Sequence, residues 1–250
     1  MRFACATLML AVLACASAPA LAQATTRAPL QTFEELNVRC INLGRVYDQG
    51  TQVLACTRQL ALPELTPQTR AQVYNNRGNA FRSDREYGSA IADYDEAIRL
   101  DPTYANAFNN RGIANRAAGL ADRAVEDFNA ALRINPEFAS AYGNRGSAYA
   151  DLGDLHDAIA DYTRAVQIDP EYANAFNNRG NLYRQRREYD LAIADFNEAI
   201  RINPTYANAF NNRGRTYQAM GDMRRALDDY ERARQIEPEN PAYQGFGMRR

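Results

Sequence analysis

Hydrophobic positions between residues 71 and 240 follow two periods at once. Within short stretches, apolar residues stand three or four positions apart, which places them on one face of an α-helix. The whole pattern then returns every 34 residues, so that ANAFNNRG stands at 105–112, 173–180 and 207–214. Near copies stand at 71–78 and 139–146. Each period holds two helical stretches and a polar turn, so the pattern predicts a chain of antiparallel helical hairpins.

The repeat can be numbered in columns 1 to 34, which gives five units at 71–104, 105–138, 139–172, 173–206 and 207–240. Columns 2–14 and 18–30 are the predicted helices. Column 8 is always glycine and column 20 always alanine, so the two backbones can approach closely, and aromatic residues at columns 4 and 24 fill the space beside them. Column 32 is always proline, which cannot continue a helix and therefore ends the second one.

Weaker versions of the same pattern flank the five units. The segment 32–70 contains a degenerate hairpin and a connector, in which Thr66 is the predicted N-cap of the next helix and Pro67 its first-turn residue. The tail at 241–250 begins like another first helix, but two glycines predict an early stop. Because no long polar helix follows, the last unit is expected to expose apolar surface, which is a candidate for self-association.

The 34-residue period and its column residues closely resemble the tetratricopeptide repeat family. The resemblance covers all five units and implies an all-α fold, a right-handed α-solenoid of five helical hairpins plus the degenerate N-terminal hairpin. One residue departs from the pattern. Asn115 occupies column 11, where the other units carry phenylalanine or tyrosine, so altered local packing is expected in the second unit.

Arginine at column 7 and aspartate at column 23 occur together in every unit. A guanidinium group can hold a carboxylate through two parallel hydrogen bonds, so the pattern predicts a ladder of partly buried structural ion pairs. An alternative is that these arginines bind a ligand. The ladder residues are Arg77, Arg111, Arg145, Arg179 and Arg213, with Asp93, Asp127, Asp161, Asp195 and Asp229.

A second polar set follows from the family resemblance, which implies that first helices line the concave wall of the solenoid. Amide side chains both donate and accept hydrogen bonds, so they suit an extended peptide backbone, and arginines on the same wall can hold its carboxylates. The predicted peptide-binding residues are Asn106, Asn174 and Asn208 at column 2, Asn75, Asn109, Asn177 and Asn211 at column 5, Asn79, Asn181 and Arg215 at column 9, and Arg82, Arg116 and Arg184 at column 12.

Column 6 leaves two interpretations open. Its asparagines either contact a ligand or bridge neighbouring helices, and they are Asn76, Asn110, Asn144, Asn178 and Asn212. Family members that clamp the C-terminal carboxylate of a peptide use lysine at column 5. This chain has asparagine or glycine there and contains no lysine at all, so that clamp is not expected.

The composition argues against nucleic-acid binding and against catalysis. The net charge is −1, so no basic field favours nucleic acid, and the single histidine, His156, stands at a turn. No nucleophile, base, metal or cofactor motif is present, so we expect a non-enzymatic protein without a cofactor.

The first 22 residues have the form of a secretory signal peptide, with Arg2, an apolar run and small residues that end at Ala22. Cleavage there predicts a periplasmic or secreted chain that starts with a flexible segment at 23–31. The alternative is a lipoprotein signal with Cys15 lipidated. An even pair, Cys40 and Cys56, then remains and indicates a disulfide, although two buried free thiols are the other possibility.

Together these features predict a protein–protein interaction scaffold of the bacterial envelope that binds a peptide or helix of its partner, with no nucleic acid and no membrane span. One alternative is an outer-membrane lipoprotein that assists assembly of an envelope or pilus-type complex. A second alternative is an accessory subunit of an envelope enzyme.

Overall fold

The computed structural model describes residues 32–42 and 46–243. The predicted signal peptide, Cys15, the segment 23–31 and most of the tail lie outside these residues. All the described helices belong to one compact unit that begins at Phe33. In the described residues no helix has both the length and the apolar character that crossing a membrane requires.

Twelve α-helices and a short 3-10 turn make up the described chain, and they pack as consecutive pairs. The prediction of an all-α solenoid is confirmed. The helices are α1 Phe33–Ile41, α2 Gln49–Leu60, α3 Pro67–Ser83, α4 Tyr87–Leu100, α5 Ala105–Ala117, α6 Ala121–Ile134, α7 Ala139–Leu152, α8 Leu155–Ile168, α9 Ala173–Gln185, α10 Tyr189–Ile202, α11 Ala207–Ala219 and α12 Met223–Ile236, followed by the turn Pro241–Tyr243.

Each odd-numbered helix from α3 onward is the first helix of a unit, and the even-numbered helix after it is the second. Every second helix also packs against the first helix of the next unit, as α4 does against α5. First helices touch each other as well, since α3 contacts α5, α5 contacts α7 and α9 contacts α11. The first helices therefore share one side of the solenoid, which we call the first-helix face.

Local chemistry sets where these helices begin and end. The side chain of Thr66 accepts a hydrogen bond from the backbone N–H of Thr69, and Pro67 follows at the first helical position. Asp48 caps α2 in the same way, through the N–H of Thr51. The second helices end at column 30, directly before a polar residue and the proline at column 32.

The core is built from small residues packed against aromatic rings. Alanines at columns 20 and 27 are fully buried in all five units, and the ring at column 24 lies against the glycine at column 8. At the N-terminal end, Leu36, Cys40, Cys56 and Val73 form one buried cluster, so the first hairpin packs onto α3. Cys40 and Cys56 are joined by a disulfide with Cα atoms 4.8 Å apart.

Candidate functional site

The structure brings together each of the five arginine–aspartate pairs. The shortest N–O distances are 2.6–2.8 Å, and the aspartate side chains are only 5–8% exposed. In four pairs Nε and Nη2 of the arginine each donate to a different oxygen of the aspartate, as Arg145 does to Asp161. Every pair links the first and second helices of one unit.

The same arginines also reach back to the preceding hairpin, which the sequence did not lead us to expect. Nη1 of each donates to a side-chain oxygen of the second helix before it, at 2.5–3.0 Å, and in the four later units this oxygen stands at column 25. The acceptors are Thr57, Asp95, Asn129, Thr163 and Asn197. Each of these five positions has a side chain with an oxygen atom, and this regularity is the sequence signal that could have predicted the contact.

An aromatic ring at column 4 completes the surroundings of each guanidinium group. The ring centroid lies 5.4–5.6 Å from Cζ of the arginine, close enough for a cation–π interaction. Each guanidinium therefore joins three helices, and each of its three nitrogens donates a hydrogen bond, as in Arg145. These arginines serve the scaffold, and they are poorly placed to bind a ligand.

Burial governs the electrostatics of the ladder. It raises the pKa of Asp127, Asp161 and Asp195, and the arginine bonded to each opposes that shift. The bond to Asp161 in turn raises the pKa of Arg145. In these three pairs the effect of burial on the carboxyl pKa exceeds the opposing effect of the arginine, so we expect the pairs to fix the register of the helices more than they add stability.

Asn115 in the second unit takes part in the ladder. Its side-chain amide is buried and donates to Oδ2 of Asp127 at 2.8 Å, while Nε and Nη2 of Arg111 both donate to Oδ1. The expected change in local packing is thus an exchange of an aromatic ring for a hydrogen bond. The smaller side chain also borders an open cavity of about 230 Å³ next to Asp95 and Arg111.

Asparagines at columns 5 and 6 bond to each other across neighbouring units. The Nδ2 group of a column-6 residue donates to Oδ1 of the column-5 residue in the unit before it, at 2.9–3.0 Å. The pairs are Asn110 with Asn75, Asn144 with Asn109, and Asn212 with Asn177. For these three, the bridging interpretation of column 6 matches the geometry.

This arrangement corrects one expectation about column 5. Asn75, Asn109, Asn177 and Asn211 are only 5–9% exposed, so they lie between helices and not on an open wall. Asn75, Asn109 and Asn177 can be buried here because the next unit supplies a hydrogen-bond donor to each, whereas Oδ1 of Asn211 in the last unit is buried without a partner. Periodicity alone could not distinguish this position from column 2, since both lie on the first helix and both carry asparagine.

The asparagine bridges are interrupted between the third and fourth units, because column 5 of the third unit is Gly143. A β-carbon there would lie 2.8 Å from Cε1 of Tyr172, so the ring occupies the place of an amide. Asn178, which would have bonded to column 5, instead accepts a hydrogen bond from Nδ2 of Asn177 at 3.2 Å. Asn76 in the first unit is half-buried.

Columns 2, 9 and 12 form the accessible part of the first-helix face. Asn106, Asn174 and Asn208 are exposed at column 2, and Asn208 accepts a hydrogen bond from the hydroxyl of Tyr243 at 2.8 Å. At column 9, Asn79 accepts from the hydroxyl of Tyr94 at 2.9 Å. The structure therefore presents these asparagines where a second molecule can reach them.

Arginines and one more asparagine continue this accessible row. Arg82 and Arg184 at column 12 are half-buried, whereas Arg116 at column 12 and Arg215 at column 9 are exposed. Asn181 is half-buried, and its Oδ1 has no hydrogen-bond partner. The row thus offers both amide and guanidinium groups in four of the five units, and the third unit carries neither at these columns.

Sequence profiles of one repeat family match the chain in several places. The profile described as TPR repeat matches residues 78–119, 146–185 and 180–221, and the profile described as tetratricopeptide repeat matches 207–240. Among curated proteins, none matches the chain at a significant level.

Several solved structures are similar to this chain. A tetratricopeptide repeat protein from Parabacteroides merdae has a TM-score of 0.68 at 21% identity, over 84% of this chain and 82% of its own. TTC0263 from Thermus thermophilus has a TM-score of 0.60 at 22% identity, over 69% of this chain and 94% of its own. YrrB, described as a TPR protein with an unusual peptide-binding site, has a TM-score of 0.55 at 26% identity, over 69% of this chain and 89% of its own.

The fold and the repeat matches agree. Twelve helices in consecutive pairs form the described chain, and the matched segments extend over more than half of the sequence. Repeats of this kind build scaffolds for protein–protein interaction. The chain belongs to the tetratricopeptide repeat family.

Proposed function

We propose that this protein is a non-enzymatic scaffold of the bacterial envelope, and that it holds an extended peptide of a partner protein along its first-helix face. The observation that carries the proposal is the row of accessible amide and guanidinium groups at columns 2, 9 and 12. Four of the five first helices present amide or guanidinium groups at these positions, whereas the third unit has Ser140, Ser147 and Ala150 there. Most side chains of the other polar columns are hydrogen-bonded inside the scaffold.

The chemistry of this row suits a peptide. An extended backbone offers alternating N–H and C=O groups, and an asparagine side chain can donate to one and accept from the other. Among the described residues, the exposed side chains of Asn106 and Asn174 have no hydrogen-bond partner, and Oδ1 of Asn181 is buried without one. Peptide binding by YrrB, a protein of the same fold, supports this assignment.

Selection of peptides from a random library displayed on phage would test the proposal. The purified protein is the bait, and the selected peptides are then measured for binding by calorimetry. Replacing Asn106, Asn174 and Asn208 together by alanine is expected to weaken the selected peptides at least about tenfold, because three accessible hydrogen-bonding groups are lost.

A matched control removes amides from the second helices. Gln167 and Gln235, both exposed at column 29, are replaced by alanine in the same way. That variant is expected to bind the selected peptides as tightly as the parent protein. Equal loss in both variants, or no loss in the asparagine variant, would contradict binding on the first-helix face.

Export to the envelope is a separate part of the proposal. It rests on the apolar N-terminal segment and on the disulfide between Cys40 and Cys56, a bond that persists in oxidising compartments. Intact-mass measurement of the protein produced in a bacterium tests it. A chain that starts after Ala22 supports a periplasmic or secreted protein, a chain lipidated at Cys15 supports the lipoprotein alternative, and an uncut chain contradicts export.

A further inference from the structure

Three first helices carry an arginine at column 12, and two of these arginines have a partner within the protein. Nε of Arg82 donates to the hydroxyl of Tyr94 at 3.4 Å, and Nε of Arg116 lies 2.6 Å from Oδ2 of Asp151 in the next unit. Arg184 is different. Its Nε is buried and has no hydrogen-bond partner.

The sequence explains why Arg184 lacks both kinds of partner. In its own unit column 24 is Phe196, which has no hydroxyl group, where the first unit has Tyr94. In the following unit column 13 is Ala219, which has no carboxylate, where the third unit has Asp151. Two substitutions within the repeat pattern have thus removed both of the acceptors that serve equivalent arginines.

A second positive charge lies beside it. Burial lowers the pKa of Arg184, and the charge of Arg215 lowers it further, so the two guanidinium groups repel each other. Arg215 is exposed, and within residues 32–42 and 46–243 neither arginine forms an ion pair with a carboxylate. Such a cluster is costly unless an anion compensates it.

A second polar group without a partner lies on the same helix. Asn181 precedes Arg184 by one helical turn on α9, and its Oδ1 is also buried without a partner. On the first-helix face of α9, a carbonyl oxygen that lacks a donor thus lies one helical turn before a guanidinium nitrogen that lacks an acceptor. A peptide supplies both missing groups at once, an N–H from its backbone and a carboxylate from its side chain.

We propose that Arg184 and Arg215 form an anion site between the fourth and fifth units, and that it binds an aspartate or glutamate side chain of the partner peptide. The inference rests on the proposed peptide-binding function and adds that the partner is acidic at this position. A guanidinium group holds a carboxylate through two parallel hydrogen bonds, so the site also sets the register of the peptide on the first-helix face.

The test uses two short peptides and one substitution. The probes are an acetylated and amidated hexapeptide of alternating glutamate and glycine, and the same peptide with glutamine in place of glutamate. The glutamate peptide is expected to bind the purified protein at least about tenfold more tightly than the glutamine peptide, as measured by calorimetry.

Ala219→Asp then removes the site without removing either arginine. It gives Arg184 the carboxylate that Asp151 gives Arg116, so binding of the glutamate peptide is expected to fall to the level of the glutamine peptide. Ala117→Asp is the matched control, because it adds the same charge at column 13 of the second unit, on the same face. That variant is expected to keep the parent affinity within about twofold.

The outcomes separate this inference from the function on which it rests. Equal binding of the two probe peptides, or equal weakening by both aspartate substitutions, would overturn the anion site. The library-selected peptides and the asparagine variant decide the proposed function independently. If those peptides bind through the asparagines while neither probe binds, the face keeps its function and the anion site is refuted.

Discussion

Glycine at column 8 is required by a close approach between a helix and a ring. A β-carbon at Gly112 would lie 2.7 Å from Cε1 of Phe128, and the same distance separates a β-carbon at Gly78 from Tyr94. Both rings are fully buried, so they have no room to move aside. Gly88 on α4 is different, because nothing lies within 4 Å of a β-carbon there.

Gly112→Ala is therefore expected to lower the free energy of unfolding by about 1–3 kcal/mol, because the added methyl group overpacks the hairpin. Gly88→Ala is the matched control, and it is expected to cost nothing or to add up to about 0.5 kcal/mol, because alanine favours the helix. Urea unfolding followed by circular dichroism measures both. Equal stability of the two variants would contradict the close approach.

Arg145 also contributes to stability as a single residue, through its ion pair with Asp161. Removing the guanidinium leaves a carboxylate that is 8% exposed and has lost its charged partner. Arg145→Ala is expected to lower the free energy of unfolding by about 3–5 kcal/mol. Arg133→Ala, at an exposed position on α6, is the control and is expected to change it by less than about 0.5 kcal/mol.

The loss of stability caused by Arg145→Ala is expected to become smaller as the pH falls. Burial raises the pKa of Asp161, and Arg145 is the group that opposes the shift. A carboxyl with a folded-state pKa above its unfolded value gains stability as the pH falls through the folded-state pKa. Thermal unfolding of variant and parent from neutral pH to about pH 5 measures the difference, and a constant difference would refute the buried charge as its cause.

At the scale of elements, the turn between the two helices of a unit imposes a left-handed backbone at column 15. Gly119, Gly153 and Gly221 adopt φ of 81°, 89° and 85°, and Arg85 and Arg187 adopt 62° and 61° at the same column. Only glycine adopts this conformation without steric cost. The first and fourth units therefore hold a strained arginine where the others hold glycine.

Arg187→Gly is expected to raise the free energy of unfolding by about 0.5–1 kcal/mol, since relief of the left-handed strain exceeds the entropy that glycine loses on folding. Gly153→Ala is the converse control, and it is expected to lower stability by about 1 kcal/mol. Thermal unfolding of both variants tests the turn. A loss of stability in Arg187→Gly would show that the arginine side chain contributes contacts that outweigh the strain.

These elements also show how far the sequence could predict the structure. The 34-residue period and the paired columns 7 and 23 predicted the helix pairs and the arginine–aspartate contacts, because both depend on positions that every unit shares. The contact of Arg145 with Asn129 was not predicted, and the bridge from Asn144 to Asn109 was only one of two interpretations left open for column 6. Both depend on how one unit is placed on the next, which a pattern within a single unit does not specify.

At the scale of the whole molecule, stability is distributed along the solenoid, because each hairpin packs mainly on its neighbours. The two ends differ. At the N-terminal end the disulfide joins α1 to α2. At the C-terminal end the side chain of Leu227, at column 21, is 44% exposed, whereas the residues at this column in the other units are half-buried, namely Ile91, Val125, Ile159 and Ile193. Self-association through this apolar end remains a prediction, which sedimentation of Leu227→Glu against the parent protein tests.

The disulfide should act locally for the same reason. Replacing Cys40 and Cys56 by serine opens a loop of 16 residues, which is expected to cost the first hairpin about 3 kcal/mol. Amide hydrogen exchange in α1 and α2 is then expected to rise by about a hundredfold, with a smaller rise in α3, which packs on the same cluster through Val73. Helices α9 to α12 lie far along the repeat and are expected to keep their exchange rates. A uniform rise across all twelve helices would show instead that the solenoid unfolds as one cooperative unit, and the stabilising role of the disulfide would then extend to the whole molecule.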